Sequence, residues 1–192
     1  MGLVSVENIK HAAKNLKGVA ERTPLQKNLA LSDKYQCDIY LKREDLQPVR
    51  SYKIRGAYNK IKSLSKESLA KGVICASAGN HAQGFAYACN LLDIKGKVYM
   101  PSTTPKQKVD KVKFFGKSNI SVVLTGDTFD DSFKSSMKAC EEEKMTFVHP
   151  FDDFKVMEGQ GTVGLEILED TSNVDFLLLP VGCLLYTSPS PR

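Results

Sequence analysis

The chain of 192 residues contains no tryptophan, three histidines and no long hydrophobic run. A membrane-spanning helix needs about 18 or more apolar residues in succession, so the sequence predicts no membrane association. The three histidines, His11, His81 and His149, do not stand at metal-ligand spacing from any cysteine. Structural zinc sites use closely spaced pairs of such ligands, and we therefore expect no metal site.

Paired cysteine motifs are also missing. The five cysteines are an odd number, widely scattered and without a C-x-x-C pair, which favours reduced thiols over a disulfide framework. The amino terminus lacks the apolar core and small-residue cleavage site of a signal peptide. Together these features predict a cytoplasmic protein.

Charge of one sign is not concentrated enough to suggest a polyanionic partner. The net charge is +5, and the densest basic cluster has four lysines between residues 106 and 113. Val109 and Val112 interrupt that cluster at helical spacing, which is typical of a helix with one solvated face. No basic-aromatic interleaving accompanies it, so we expect no nucleic-acid partner.

What the sequence does contain is a regular alternation of apolar strand patterns and amphipathic helix patterns. Ser5 is placed to cap a first helix that Gly18 ends, and Thr104 to cap a later one. This order predicts an α/β fold with a mostly parallel sheet covered by helices on both faces. The predicted helices span 5–17, 28–35, a region after residue 52, 79–93, 104–116, 127–144 and a stretch through 159–170; the predicted strands span 38–44, 72–77, 96–101, 120–125, 146–150 and 174–182.

The last ten residues, "CLLYTSPSPR", break this alternation with a Ser/Pro repeat that no βα unit requires. We therefore predict that residues 183–192 are a non-native tail and that residues 1–182 are a fragment of a longer protein.

Two glycine-rich or acidic motifs suggest chemistry but lack its context. "GQGTVG" (159–164) matches a dinucleotide fingerprint by letter, but it follows a polar, helix-like stretch instead of a strand. A nucleotide-dependent oxidoreductase is accordingly disfavoured, and glycines for helix packing or close approach to a ligand explain the run better. The neighbouring carboxylates Glu44 and Asp45 follow the end of a predicted strand, which favours a structural or solvated role over paired acid–base catalysis.

The stretch "SAGNHAQG" (77–84) is more informative, since it lies between a buried strand and a helix N-terminus. Ligands of open α/β sheets bind at that place, and exposed helix N–H groups favour an anion such as a carboxylate or phosphate. A purely structural capping turn is the alternative. Lys53, in "SYKIRGA", reads by position alone as a surface charge on a helix.

Taken together, the two motifs resemble one family. "SYKIRGA" and "SAGNHAQG", preceded by "YLKREDLQ" and followed by "HPFDD" and "GQGT", resemble the fold-type II pyridoxal-phosphate enzymes (tryptophan synthase beta-like) and, within them, the threonine dehydratases. The resemblance covers nearly everything before Cys183. It implies that residues 1–182 are the N-terminal portion of the catalytic domain, with a smaller lobe, at about residues 72–145, inserted in a larger one.

The resemblance also implies roles for individual residues. Lys53 would form the Schiff base with pyridoxal phosphate and then remove the substrate's Cα proton. Asn80 would bind the cofactor's 3-hydroxyl, and Gly182 would begin the glycine run that holds its phosphate. The substrate carboxylate would lie in the turn formed by Ser77, Ala78, Gly79, Asn80 and His81.

The implied reaction is deamination of the amino acid L-threonine to 2-oxobutanoate and ammonia, the first step of isoleucine synthesis, with L-serine giving pyruvate. A catabolic serine/threonine dehydratase and a serine racemase are alternatives within the family, although Ala78 replaces the serine that serves racemases as a second base. A non-catalytic α/β ligand-binding module is the alternative from another class. The complete enzyme is expected to be a homo-oligomer. Because Cys183 and two leucines interrupt the glycines after Gly182, we expect this chain by itself to hold the cofactor poorly and to be inactive.

Overall fold

A computed structural model describes residues 4–171 and 173–179. Gly182 and the tail predicted at 183–192 lie outside these residues. The helices are α1 (Val6–Asn15), α2 (Leu29–Tyr35), α3 (Lys53–Lys62), α4 (Lys66–Lys71), α5 (Asn80–Leu92), α6 (Lys106–Gly116), α7 (Phe129–Glu143) and α8 (Phe154–Asp170), with short 3-10 turns at Glu44–Leu46 and Lys117–Asn119.

The strands form two sheets. They are β1 (Leu25–Lys27), β2 (Tyr40–Lys42), β3 (Val73–Ala76), β4 (Gly96–Met100), β5 (Ile120–Leu124) and β6 (Thr146–Phe147). Strands β5, β4, β3 and β6 pair in that order, and every pair is parallel. Strands β1 and β2 form a separate antiparallel pair.

The parallel sheet is buried on both faces. Alternate residues of β3 enter different apolar clusters: Val73 and Cys75 pack with α5, whereas Ile74 and Ala76 pack with α7. A strand buried on both sides reads as a continuous apolar run, which is why "VICA" shows no polar alternation. The predicted α/β fold with helices on both faces of a parallel sheet is confirmed.

The helix N-termini follow local capping chemistry. Ser5 accepts a hydrogen bond from the Asn8 amide at the start of α1, as predicted, and Thr128 and Asp131 form a reciprocal capping box at α7. The prediction that Thr104 caps α6 is wrong. The helix begins at Lys106 after Pro105, and the buried Thr104 hydroxyl makes no hydrogen bond in the structure.

Three predicted strands differ from the structure, and the one predicted at 146–150 ends at Phe147. Residues 38–44 contribute only β2, which pairs with β1 (a segment without an alternating pattern), so this strand lies outside the parallel sheet. Residues 174–179 of the strand predicted at 174–182 are not in a strand, and Phe176 and Leu178 are 88% and 91% exposed. An apolar run becomes a strand only where a neighbour takes its backbone hydrogen bonds, and no strand in the described part of the chain pairs with it.

Helix α3 is the central packing element beside the sheet. It packs along both α5 and α8, and glycines allow both contacts. A Cβ at Gly84 of α5 would lie 2.9 Å from the backbone of Lys53 and Ile54, and one at Gly159 of α8 would lie 2.5 Å from the Arg55 carbonyl. None of the helices in the described ranges combines the length and apolar character that a membrane span requires.

Candidate active site

Lys53 is the first residue of α3, and its side chain is turned into the protein. Only 9% of the residue is exposed, so the expectation from position alone, a surface charge, is wrong. Its Nζ donates a hydrogen bond of 2.8 Å to the Pro150 carbonyl and lies 5.3 Å from the centre of the Tyr52 ring. The chain enters α3 through Arg50, whose φ of 59° is uncommon for a residue with a Cβ.

The predicted ligand turn, residues 77–81, leads from β3 into α5. Ser77 is buried and its Oγ accepts a hydrogen bond from the Gly79 amide, while Asn80 is exposed at the first position of the helix. A Cβ at Gly79 would meet no atom within 4 Å, so the backbone there borders open space. His81 is buried, and its Nε2 lies 3.1 Å from the Val148 carbonyl.

The two motifs meet at the segment after β6. The carbonyls of Val148 and Pro150 bind His81 and Lys53, respectively, so one three-residue segment joins both predicted functional side chains. We call residues 148–150 the strap. It lies beyond the carboxyl end of a parallel strand, where α/β proteins place their ligands.

The electrostatics keep two histidines neutral beside Lys53. Burial lowers the pKa of His81 to about 3; the hydrogen bond with Val148 opposes that shift, and the nearby charge of Lys53 adds to it. Burial also lowers the pKa of His149, and the charge of Lys53 adds to that shift. The carboxylates of Asp152 and Asp153 oppose it. A proton on either imidazole would place a second positive charge beside the lysine.

A buried ion network lies two residues further along α3. Arg55 is 1% exposed and binds the carboxylates of Glu44 and Glu166 in bidentate fashion, with N···O distances of 2.6 to 3.0 Å. Burial acts to lower the pKa of Arg55, but the hydrogen bonds that Arg55 donates to both carboxylates, together with their charges, outweigh burial and raise that pKa. Glu44 is therefore structural, and its neighbour Asp45 pairs with Arg43 at the surface, in agreement with the structural interpretation of this acidic pair.

The residues around Lys53 fit a polar aldehyde cofactor. Ser51 Oγ and His81 Nδ1 are buried and have no hydrogen-bond partner among the described atoms, although buried polar groups in native proteins are nearly always paired. A ligand with polar substituents would supply partners for both atoms. The Gly79 backbone and the N–H groups at the start of α5 suit an anion.

A prominent surface cleft lies away from Lys53 and the 77–81 turn. A cleft of about 420 Å³ is lined by residues 22–25, Tyr40, Asp170 and Thr171, none of which belongs to either motif. Its charged groups are already engaged, because Arg22 pairs with Glu169 and Asp170. We therefore place the candidate site at Lys53 on the chemistry of its neighbours.

Several residues of this site carried little signal in the sequence. His149 and Pro150 belong to "HPFDD", which entered only as part of the resemblance, and the buried hydroxyl of Ser51 was not singled out. The run "GQGTVG" lies wholly inside α8, where Gly159 packs on the Arg55 carbonyl and Gly161 on Ile9. The interpretation of these glycines as packing residues is confirmed for both.

Comparisons with known proteins agree on one family for this chain. The sequence family described as "Pyridoxal-phosphate dependent enzyme" matches residues 16–183. A curated relative, the biosynthetic L-threonine dehydratase IlvA of Halalkalibacterium halodurans, is 57% identical over 183 residues. That alignment covers 95% of this chain but 44% of the relative, so the chain spans less than half the length of the relative it matches.

Solved structures agree with this result. The processed form of threonine deaminase isoform 2 from Solanum lycopersicum has a TM-score of 0.81 and 40% identity, covering 88% of this chain and 47% of that one. Serine racemase from Dictyostelium discoideum has a TM-score of 0.82 and 33% identity, covering 90% and 55%. These similarities confirm the fold-type II architecture and the resemblance on which it was predicted.

Proposed function

Since the chain belongs to the pyridoxal-phosphate dependent enzyme family, we propose that it is the lysine-bearing part of a threonine dehydratase. The complete enzyme would convert L-threonine to 2-oxobutanoate and ammonia, and L-serine to pyruvate, at the start of isoleucine synthesis. The observation that carries the proposal is the joining of Lys53 and His81 by the two carbonyls of the strap. The names of the relatives at 57% and 40% identity support the substrate.

Pyridoxal phosphate, when bound, supplies an electron-withdrawing ring that stabilises negative charge at the substrate Cα. Lys53 would attach the cofactor through Nζ, and the same atom, once released, would take the Cα proton. The Pro150 carbonyl orients that atom in the structure. Asn80 would donate to the cofactor's 3-hydroxyl oxygen, and Gly182, outside the described residues, would begin the phosphate site.

The turn at residues 77–81 would hold the substrate carboxylate. The first N–H groups of a helix have no partner within it, Gly79 before α5 borders open space, and the helix dipole favours an anion there. Ser77, Ala78 and His81 shape this turn from the buried side. The neutral state of His81 keeps a competing positive charge away from Lys53 during proton transfer.

Reduction with borohydride tests the cofactor lysine, because it traps even a weakly held aldehyde on its amine. We expect the pyridoxyl group on Lys53 in peptide mass spectra and its loss in Lys53→Ala. Lys62→Ala is the matched control, since Lys62 also lies on α3 and stands 5.5 Å from a tyrosine ring. Equal labelling in Lys53→Ala, or labelling spread over the surface lysines, would contradict the proposal and favour a non-catalytic module.

Serine racemase is the second candidate, because the Dictyostelium enzyme aligns over 90% of this chain. Racemisation needs a proton acceptor on the opposite face of the substrate, and the methyl group of Ala78 cannot serve. In an enzyme that carries the remaining length of the relatives, Ala78→Ser should raise D-amino acid formation, measured by chiral chromatography. An unchanged D-product yield would contradict this assignment of position 78.

Domain organisation, assembly and compartment complete the proposal. The parallel sheet runs from Val73 to Phe147, which supports a smaller lobe at about residues 72–145. The half-length coverage of the relatives supports residues 1–182 as part of a larger catalytic domain that is inactive alone. The complete enzyme would be a homo-oligomer in the cytoplasm, and the free thiols of Cys37, Cys75, Cys89 and Cys140 are consistent with that reducing compartment.

A further inference from the structure

The strap is held firmly at both of its ends. At its start, the Val148 amide donates to the Ile74 carbonyl and extends the pairing of β6 with β3. Just beyond its end, Asp153 caps α8 and pairs with Lys60 of α3 at 2.7 Å. The strap and the two residues after it therefore bridge two fixed points.

His149 braces the middle of this bridge. Its Nδ1 accepts hydrogen bonds from the backbone amides of Phe151 and Asp152, at 3.3 and 2.7 Å. The ring also packs edge-on against Phe151, with centroids 4.6 Å apart, and against Phe147 at 6.0 Å. The imidazole thereby folds the chain into a turn around Pro150, whose carbonyl points at Lys53 Nζ.

The brace works only while Nδ1 carries no proton. A neutral imidazole with its proton on Nε2 leaves a lone pair on Nδ1, whereas the charged ring has donors at both nitrogens. The charged groups that act on the ring are Lys53 of α3 and Asp152 and Asp153 ahead of α8. Burial and Lys53 favour the neutral ring, and the two carboxylates oppose them.

We propose that His149 is a positioning residue that holds the Pro150 carbonyl on Lys53 Nζ and releases it when the imidazole is protonated. The proposal rests on the proposed function, because the held amine is the one that would attach the cofactor. His149 itself contacts neither substrate nor cofactor in this account. It acts through the backbone of the strap.

Trace acetylation of the full chain without cofactor tests the brace directly. The acetylation rate of Lys53, measured by peptide mass spectrometry, should rise about tenfold in His149→Ala, since the amine is no longer held in its hydrogen bond. His149→Asn should keep the wild-type rate, because asparagine oxygen accepts from the same backbone amides and does not titrate. His11→Ala removes an exposed histidine on α1 and is the matched control.

The pH dependence separates positioning from a merely structural role. The ratio of the wild-type rate to the His149→Asn rate cancels the intrinsic protonation of lysine at each pH. We expect a ratio near one at about pH 8 that rises on the acid side of the ordinary histidine range, near 6.5. A ratio that stays at one over the whole acid range in which the chain remains folded would overturn the proposal, and this comparison decides the matter even if His149→Ala fails to fold.

The proposed function has its own, separate outcome. Borohydride trapping of pyridoxal phosphate on Lys53 in a chain whose acetylation ignores His149 would leave the function standing and overturn the brace. Conversely, a pH-dependent acetylation ratio in a chain that never traps the cofactor on Lys53 would support the brace and contradict the function.

Discussion

Two cations on the same helix, Lys53 and Arg55, are both buried but are stabilised in different ways. Arg55 is surrounded by carboxylates, with Glu44 and Glu166 each in bidentate contact. The Lys53 Nζ donates to a neutral carbonyl, and two histidines held neutral lie nearby. Carboxylates lock a positive charge in place, whereas a carbonyl can bind an amine in either protonation state. The first arrangement fixes a charge within the fold, and the second is compatible with the role that we propose for Lys53.

Removing the guanidinium of Arg55 should lower the free energy of unfolding more than any other substitution considered below. Arg55→Ala removes the cation that Glu44 pairs with at a side-chain exposure of 12% and leaves Glu166 paired with Lys42. Breaking a buried pair in this way costs about 3–5 kcal/mol. Arg55→Lys should recover part of that loss, because it restores the charge without the planar fork. The free energy of unfolding in urea, followed by circular dichroism, measures both.

Arg22→Ala is the control for this prediction, since Arg22 also pairs with two carboxylates but is 51% exposed. Exposed ion pairs contribute about 1 kcal/mol or less. If Arg55→Ala and Arg22→Ala lowered the unfolding free energy equally, the buried carboxylates around Arg55 would not stabilise the fold as this comparison requires.

On the Lys53 side of the comparison, we expect the free energy of unfolding to fall at acid pH because of the neighbouring His81. His81 has a native pKa of about 3 against about 6.5 in an unfolded chain, so the unfolded state binds the extra proton. Stability is then fully present above about pH 6.5 and falls as the pH drops toward about 3, by up to roughly 1.4 kcal/mol per pH unit.

His81→Gln isolates this contribution, because glutamine still offers an N–H to the Val148 carbonyl but does not titrate. The stability advantage of the wild type over His81→Gln should shrink steadily below pH 6.5. An advantage that is constant across this range would mean that His81 is not held neutral in the folded protein.

A smaller effect is expected where α5 approaches the backbone of Lys53. Gly84→Ala places a methyl group 2.9 Å from the Lys53 and Ile54 backbone, and such overpacking costs about 1–3 kcal/mol. Gly164→Ala is the matched substitution, since it also lies inside a helix but meets no atom within 4 Å. It should stabilise the chain by about 0.5–1 kcal/mol. Thermal unfolding of the pair would show opposite signs, and destabilisation by both would contradict the close approach at Gly84.

The sequence predicted the elements whose signals are local. Capping by Ser5, the amphipathic pattern of α6 with its buried valines, and the apolar run of β3 all depend on neighbours within one or two turns. Thr104 shows the limit of such signals, because two adjacent residues compete for the start of a helix and Pro105, not Thr104, takes the position before Lys106.

The features that the sequence could not give depend on distant partners. The Arg55 network joins residues more than 100 positions apart, and β1 is a strand only because β2 pairs with it. The 77–81 turn was predicted from its place between a strand and a helix, and the role of Lys53 from the resemblance, whereas the strap between them was not predicted. The strap acts through two backbone carbonyls. Every residue carries one, so the sequence does not show which carbonyls bind a distant side chain.

Strand β3 and helix α5 each carry a buried thiol, and the alkylation of these thiols would report when the interior of the sheet becomes exposed. Cys75 and Cys89 are fully buried, and burial raises the pKa of both, so an alkylating reagent meets no thiolate there while the sheet is closed. Cys37 is exposed and should react at once. The delay between the two classes of modification would time the exposure of the sheet interior in solution, without any cofactor or substrate present.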